Sequence, residues 1–429
     1  MQKKIVIIGA GFAGLKLARK LHNTDYQITI IDIHNFHQFQ PLFYQVASAR
    51  LEATAISFPL RRIFQGKRNV NVRVGMIRQI DTRAKKVFTR HNIYDYDYLV
   101  IATGCTNNYF GNKNIEQNAF PMKSTNQAIA LRNKILLNFE ASLSARTPED
   151  KEAYNNITIV GGGPTGVELA GALAEMKSKV LPKDYPLIDF SNLRINLIEG
   201  SPSTLSSMSE QSQKNSRRYL EEMGIHIQTD IHVTDYDGDT VSLENGTSIP
   251  CKTLIWAAGV IGNVPAGIPK ESITRGNRII VDELHQVKDL SDVYAIGDIS
   301  YMETKDWPHG HPQLAHVANK QAEHLARHFK NLLKNKPVTP FTYKNPGTMA
   351  TIGKRKAVVD LPKLHFHGRL AWLIWMFLHL MLILGVRNKL LVFLNWMISY
   401  FTNDSTLRII LLPSKKQTWL GQEYDELSV

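Results

Sequence analysis

The sequence predicts an α/β chain: two Rossmann-like dinucleotide-binding domains, then a C-terminal amphipathic helical region suited to anchoring on a membrane. Three stretches carry the prediction. Lys4 to Gly14, KIVIIGAGFAG, runs an apolar strand into Gly9, Gly11 and Gly14. Far along the chain, Asn156 to Gly171, NITIVGGGPTGVELAG, repeats strand, Gly161, Gly163, Gly166 and helix. From Leu370 the composition changes to LAWLIWMFLHLMLIL, then GVRNK, then LLVFLNWMISYF.

In the first unit Gly9 allows a tight turn, Gly11 lets the backbone approach a pyrophosphate, and Gly14 lets a helix from Phe12 to Leu21 pack closely on the strand. A second strand, Gln27 to Ile31, ends in Asp32, at about the twenty-residue spacing where an acid receives a ribose hydroxyl pair. In the second unit the corresponding acid is Glu199, closing a strand from Arg194 to Ile198. Its longer spacing requires an insertion around Lys179 to Ser191. Carboxylates accept from a free 2′-OH and repel a 2′-phosphate, so two such units imply two dinucleotides.

Between the units, HNFHQFQPLFYQVASARLEATAISFPL lacks clean periodicity and reads as a loop and a short helix able to wall a ring system. Asn71 to Thr89 reads as a β-hairpin, and Tyr96 to Gly104 as a strand ending in Thr103 and Gly104. Lys123 to Arg146 has helical period, and Thr147 to Asn156 reads as a polar connector. Further strands are expected at Thr240 to Leu243 and at Thr253 to Ala257, the latter running into Ala258 and Gly259. Ser291 to Ile299 is an apolar strand with Gly297 and Asp298 at its end, followed by a helix from Pro312 to Lys334 and a hairpin from Phe341 to Asp360. The domains expected are residues 1–115 and 276–340 for the first nucleotide, 116–275 for the second, and 341–429 for the hairpin and docking helices.

A composition of 43% hydrophobic and 21% charged residues over 429 is that of a globular protein. Cys105 and Cys251 are each alone, which removes a CxxC redox pair and any cysteine framework for a metal or cluster, and no metal site is expected. The net charge of +13 goes with no nucleic-acid motif and no interleaving of aromatic with basic residues, so nucleic acid is not an expected partner. The N-terminal apolar run is too short for a signal segment and is already claimed by the first strand, which places the chain on the cytoplasmic side.

The two C-terminal apolar runs, of fifteen and twelve residues, fall short of the roughly twenty needed to cross a bilayer. Lys363, Arg369, Arg387, Lys389, Arg408, Lys415 and Lys416 accompany them, with Asp404 as the single acid. Apolar helices rich in Trp and framed by cations belong at an anionic membrane interface. Trp372, Trp375, Leu378, Leu382, Phe393 and Trp396 are expected to supply the apolar surface, part of which also suits pairing of two subunits as a homodimer.

With two nucleotide units and a strand ending in GD, the chain resembles the two-dinucleotide-binding flavoproteins. HQFQPLFYQVA, GGGPTGVELAGALAE, TLIWAAGV, GTMATIG and the apolar tail extend the likeness to type II NADH dehydrogenase, the single-subunit, non-proton-pumping NADH:quinone oxidoreductase. The resemblance implies that NADH passes hydride to non-covalently bound FAD, and that two electrons then go to a membrane quinone. It implies that Gly9, Gly11, Gly14 and Asp32 hold the ADP half of FAD, and that Gln45, Val46, Ala47, Thr103, Gly104, Gly297 and Asp298 surround the rest. It further implies that Gly161, Gly163, Gly166 and Glu199 hold NADH, with Ala258 and Gly259 near the nicotinamide and Glu168 beside nicotinamide and flavin. One departure stands out. Where the family has two glutamines in AQxAxQ, this chain reads AHVANK, so His316 and Lys320 take their places at the quinone while Ala315 keeps the backbone amide at the helix start.

The rivals are limited. A disulfide reductase and a sulfide:quinone oxidoreductase both depend on cysteines that this chain lacks. A slowly turning flavoprotein of the apoptosis-inducing-factor type, acting as signal or scaffold, is the alternative from another class.

Overall fold

Strands Lys4–Ile8 and Asn156–Val160 each occupy the centre of a five-stranded parallel sheet. In the first sheet the order is Val293–Ala295, Tyr98–Ile101, Lys4–Ile8, Gln27–Asp32, Val70–Val74. In the second it is Phe120–Pro121, Thr253–Trp256, Asn156–Val160, Arg194–Ile198, Ile225–Gln228. This computed structural model describes residues 2–402 and 407–411. Residues on the central strands read as continuous apolar runs because both faces are covered, one by helices and the other by small antiparallel sheets and loops, and Ile5, Ile7, Ile159 and Leu197 are fully buried. The first sheet is completed only by Val293–Ala295, so the second nucleotide unit is inserted into the first. An antiparallel pair, Cys105–Asn107 with Val260–Gly262, joins the two.

Several elements depart from the sequence-based expectation. Val70–Val74 is the edge strand of the first sheet, and the hairpin is made by Ile77–Asp81 and Lys86–Thr89, with Ile93–Asp95 as a third strand. The expected connector is a helix, Pro148–Asn155, started by Thr147, whose side chain accepts from the Asp150 N–H, with Pro148 in its first turn. The helix expected from Pro312 runs Ala315–Leu332. The insertion before Glu199 holds a short helix, Leu181–Asp184, and a 3₁₀ turn, Phe190–Asn192.

The last part of the chain is a three-stranded meander, Thr348–Thr351, Ala357–Asp360 and His365–His367, followed by helices Gly368–Leu382 and Val386–Thr402. The first of these helices buries Ala371, Trp375 and His379 against the body, and burying Trp375 alone is worth on the order of 3 kcal/mol. This corrects the expected surface. Trp375 is buried and Trp396 is half-buried, whereas Leu370, Leu373, Phe377, Leu378, Met381, Leu382, Val386, Leu390, Phe393, Leu394, Ile398 and Phe401 are exposed. Arg408 pairs with Asp184 of the insertion, and Asp404, Lys415 and Lys416 lie outside the described residues.

Candidate functional site

The two glycine loops are built alike, down to single atoms. Gly9 at φ +98° and Gly161 at φ +109° turn the chain where a Cβ would strike the carbonyls of Ala102 and Ala257. A Cβ on Gly14 would lie 1.9 Å from the Gly9 carbonyl oxygen, and one on Gly166 would lie 1.9 Å from that of Gly161, so both helices need glycine to close on their strands. Asp32 accepts from the Ala10 N–H at 2.6 Å and the His34 N–H at 2.7 Å. Glu199 accepts from the N–H groups of Gly162 and Ser201. Each acid therefore ties its own loop to the neighbouring strand.

These loops fit dinucleotides. Helices starting after Asn112, Ser124, Thr147 and Ser209 are capped by those side chains. The two that follow Gly11 and Gly163 have no side-chain cap. Around both glycines a Cβ would meet nothing within 4 Å. Open space over uncapped N–H groups is what a pyrophosphate requires.

At the first sheet's strand ends, Thr103 Oγ1 donates to the Asn263 carbonyl at 2.7 Å, tying Thr103 and Gly104 to the chain leaving Ala258 and Gly259. Gly297, at φ +81°, lies between Ala13 and Ala318, and its N–H donates at 2.7 Å to Oε1 of the buried Gln321. Burial raises the Asp298 carboxyl, and the Cys105 thiol donates to it at 3.4 Å. Burial beside Asp298 pushes that thiol up to about 11. Val46 and Ala47 are fully buried core residues on the short helix Phe43–Ala47.

Glu168 is buried on helix Pro164–Lys179, where its Oε1 accepts from the Thr351 N–H at 3.3 Å. Burial pushes its carboxyl up to about 8, against the opposing pull of that N–H and of the Trp375 indole. The Trp375 indole N–H is buried and has no hydrogen-bond partner. Beside it opens a cavity of about 60 Å³, lined by Tyr44, Gln45, Thr351, Trp375, Trp396 and Tyr400 among others. Gln45 Nε2 donates to Tyr44 Oη at 2.9 Å and Gln45 Oε1 accepts from Trp396 Nε1 at 2.7 Å.

His316 and Lys320 lie elsewhere. Both are on helix Ala315–Leu332; His316 packs on Tyr343 with ring centres 5.7 Å apart, and Lys320 pairs with Glu323 at 3.5 Å. Neither lines the cavity beside Glu168. Sequence reasoning missed Tyr44 and Gln321 and misplaced Trp375 and Trp396. Only the helical period could have pointed inward at Gln321, which shares a face with Val317 and Leu325.

The model of the pyridine nucleotide-disulphide oxidoreductase family matches residues 3–322, and the NDH2 C-terminal domain matches residues 346–403. The type II NADH:quinone oxidoreductase NdhA of Mycobacterium tuberculosis is 34% identical over 92% of this chain and 87% of its own. A second such protein from that organism, Ndh, is 32% identical over 99% and 93%. The solved structure of NDH2 from Plasmodium falciparum in complex with NADH shares the fold at a TM-score of 0.87 and 21% identity, covering 96% of this chain and 100% of that one. With both glycine loops, the Glu168 helix and the C-terminal helices inside the matched regions, the chain belongs to the pyridine nucleotide-disulphide oxidoreductase family, as a type II NADH:quinone oxidoreductase.

Proposed function

We propose that this chain oxidises NADH and reduces a membrane quinone through non-covalent FAD, without pumping protons, while lying on the cytoplasmic face of the membrane. The observation that carries the reading is the position of Glu168. Its helix starts at the second glycine loop, and its carboxyl, pushed up to about 8 by burial, accepts from the N–H of Thr351, a residue in the wall of a Trp-lined cavity formed by helices with apolar outer faces. Such a group can hold a proton where a quinone carbonyl arrives.

Bound flavin supplies the two-electron chemistry. The chain's residues bind and orient. Gly9, Gly11, Gly14 and Asp32 hold the ADP half of FAD, and the strand ends at Thr103, Gly104, Gly297 and Asp298, with the Ala315 amide and the backbone of Gln45 to Ala47, hold the remainder. Gly161, Gly163, Gly166 and Glu199 receive NADH, with Ala258 and Gly259 at the nicotinamide. The protonated Cys105 thiol is a poor nucleophile, which supports non-covalent flavin. His316 and Lys320 stay outside the lining of the cavity, His316 packed on Tyr343 and Lys320 paired with Glu323. The exposed apolar face lies in the membrane plane, and among the described residues no helix is long and apolar enough to cross a membrane.

The test needs a spectrophotometer. The purified protein is expected to be yellow, to bleach with NADH, to recover on addition of quinone, and to turn over steadily with both. Bleaching once without recovery would favour the scaffold reading, which the oxidoreductase relatives do not support.

A further inference from the structure

Four cations converge at the outer end of the cavity. Arg50 and Lys354 line it. Lys354 and Arg355 both lie over the ring of Tyr400, at 4.6 and 4.8 Å from its centre, and Trp372 stacks on that ring at 5.8 Å. Lys179, at the end of helix Pro164–Lys179 and one turn on from Glu175, completes the group; burial first, then Lys179, Arg355 and Arg50, hold the Lys354 ammonium below its usual range. The counter-charge facing them is Glu175, which Arg50 engages and which accepts from the Lys354 backbone N–H. Among the described residues Glu175 is the carboxylate facing this basic rim, and Lys179 and Arg355 hold their charges at the surface, where an anion can reach them. Lys354 Nζ also donates to the carbonyls of Ser399 and Tyr400 at the end of helix Val386–Thr402, so the cluster is fixed to the element that carries the exposed apolar face.

We propose that this cluster, Arg50, Lys179, Lys354 and Arg355, binds the phosphate of an anionic phospholipid at the mouth of the cavity, with Trp372, Met376 and Tyr400 receiving the start of its acyl chains. A phosphate diester is complementary in charge to such a rim, and guanidinium and ammonium groups suit its oxygens. The neighbouring surface selects a lipid as its source: Leu373, Phe377 and Phe401, on the same two helices, are exposed and apolar. The inference rests on the membrane-docked reading above and adds to it a single headgroup at a fixed place.

The experiment uses the full-length holoenzyme with vesicles of phosphatidylcholine alone or mixed with phosphatidylglycerol. Lys179→Gln with Arg355→Gln removes two exposed cations that touch neither glycine loop and do not line the cavity. Wild type is expected to bind both vesicles and to prefer the anionic ones. The double variant is expected to lose about thirtyfold of that preference, for two charges at the membrane surface, while keeping its binding to phosphatidylcholine. Native mass spectrometry is expected to retain one phosphatidylglycerol on wild type and none on the variant. An unchanged preference and an unchanged retained lipid overturn the headgroup site. Equal thermal stabilisation by inorganic phosphate and by phosphatidylglycerol overturns the lipid assignment in favour of free phosphate. Failure of wild type to bind either vesicle sinks the docked reading itself, a result distinct from both.

Discussion

The Trp396 indole N–H donates to Oε1 of Gln45 at 2.7 Å, across 351 residues of chain. It joins the last helix to the short buried helix Phe43–Ala47. Helix Val386–Thr402 is thereby a wall of the cavity as well as a docking surface, and a chain cut before Arg369 would lose both. Trp396→Phe keeps the ring and removes the donor, leaving a buried amide oxygen unpaired at a cost of roughly 1–2 kcal/mol. The variant is expected to bleach with NADH at the wild-type rate but to show a raised KM for quinone, read by stopped-flow and steady-state kinetics. Equal loss in both half-reactions would count against a local role.

Glu168 gives a pH dependence with a definite sign. Its folded-state value, near 8, lies above that of an unfolded glutamate, so its contribution is fully present below pH 4.5 and is lost as pH rises through 8. Glu168→Gln is expected to raise the melting temperature relative to wild type at pH 9 and to leave it nearly unchanged at pH 5, a gain on the order of 3 kcal/mol at the alkaline end. Quinone reduction should fall by about a hundredfold, because the amide cannot transfer a proton. A wild-type rate with quinone would remove Glu168 from the proton path.

Glycine substitutions separate the two nucleotide sites. A Cβ at Gly14 or Gly166 would strike a backbone oxygen at 1.9 Å, which no rotamer can relieve. Gly166→Ala is expected to yield yellow protein that dithionite bleaches and NADH does not. Gly14→Ala is expected to yield colourless protein, scored by flavin released per chain. If Gly166→Ala also loses its flavin, the loops are not independent.

These two loops were legible because their geometry is local: turn, helix start and acid lie within one βαβ unit, as Asp32 with Ala10 and Glu199 with Gly162 show. The cavity was not. Tyr44, Thr351, Trp375 and Trp396 meet only through tertiary packing, and no spacing in the sequence records it. Trp375 and Trp396 were read as surface because an apolar run does not say which side faces protein and which lipid. Val70–Val74 was misread because an edge strand with exposed Asn71 and Arg73 alternates like a hairpin arm.

A buried histidine pair makes the first domain sensitive to acid. His324 Nε2 faces the Thr339 carbonyl at 2.8 Å and so carries the proton, which leaves Nδ1 to accept from His285 Nε2 at 3.0 Å. His285 Nδ1 then has no partner, and burial together with His324, His328 and His311 holds His285 well below the usual range. A depressed folded-state value contributes stability above the unfolded value near 6.5 and loses it as pH falls. The melting temperature is expected to drop between pH 7 and pH 5, and His285→Phe, which can pack on Phe341, is expected to flatten that slope. An equally steep slope in the variant would place the acid sensitivity elsewhere.

The last prediction concerns the choice of nucleotide. Glu199 is held from both sides, by the N–H groups of Gly162 and Ser201, so its carboxylate cannot swing away from an arriving ribose. The adjoining Gly200 has no room for a side chain, since a Cβ there would lie 2.5 Å from His232 Nε2, and His232 is itself paired with Glu244 at 3.2 Å. A 2′-phosphate would therefore meet a fixed negative charge. NADH is expected to be preferred over NADPH by about a hundredfold in kcat/KM, from charge repulsion and the lost 2′-OH bond together. Glu199→Gln removes the charge and should narrow the ratio mainly by improving NADPH, with flavin content unchanged. Its cost to NADH should stay near tenfold, since an amide can accept from only one of the two N–H groups. If kcat/KM for NADPH equals or exceeds that for NADH in the wild type, Glu199 does not face the ribose and the acid of the second unit must be sought elsewhere.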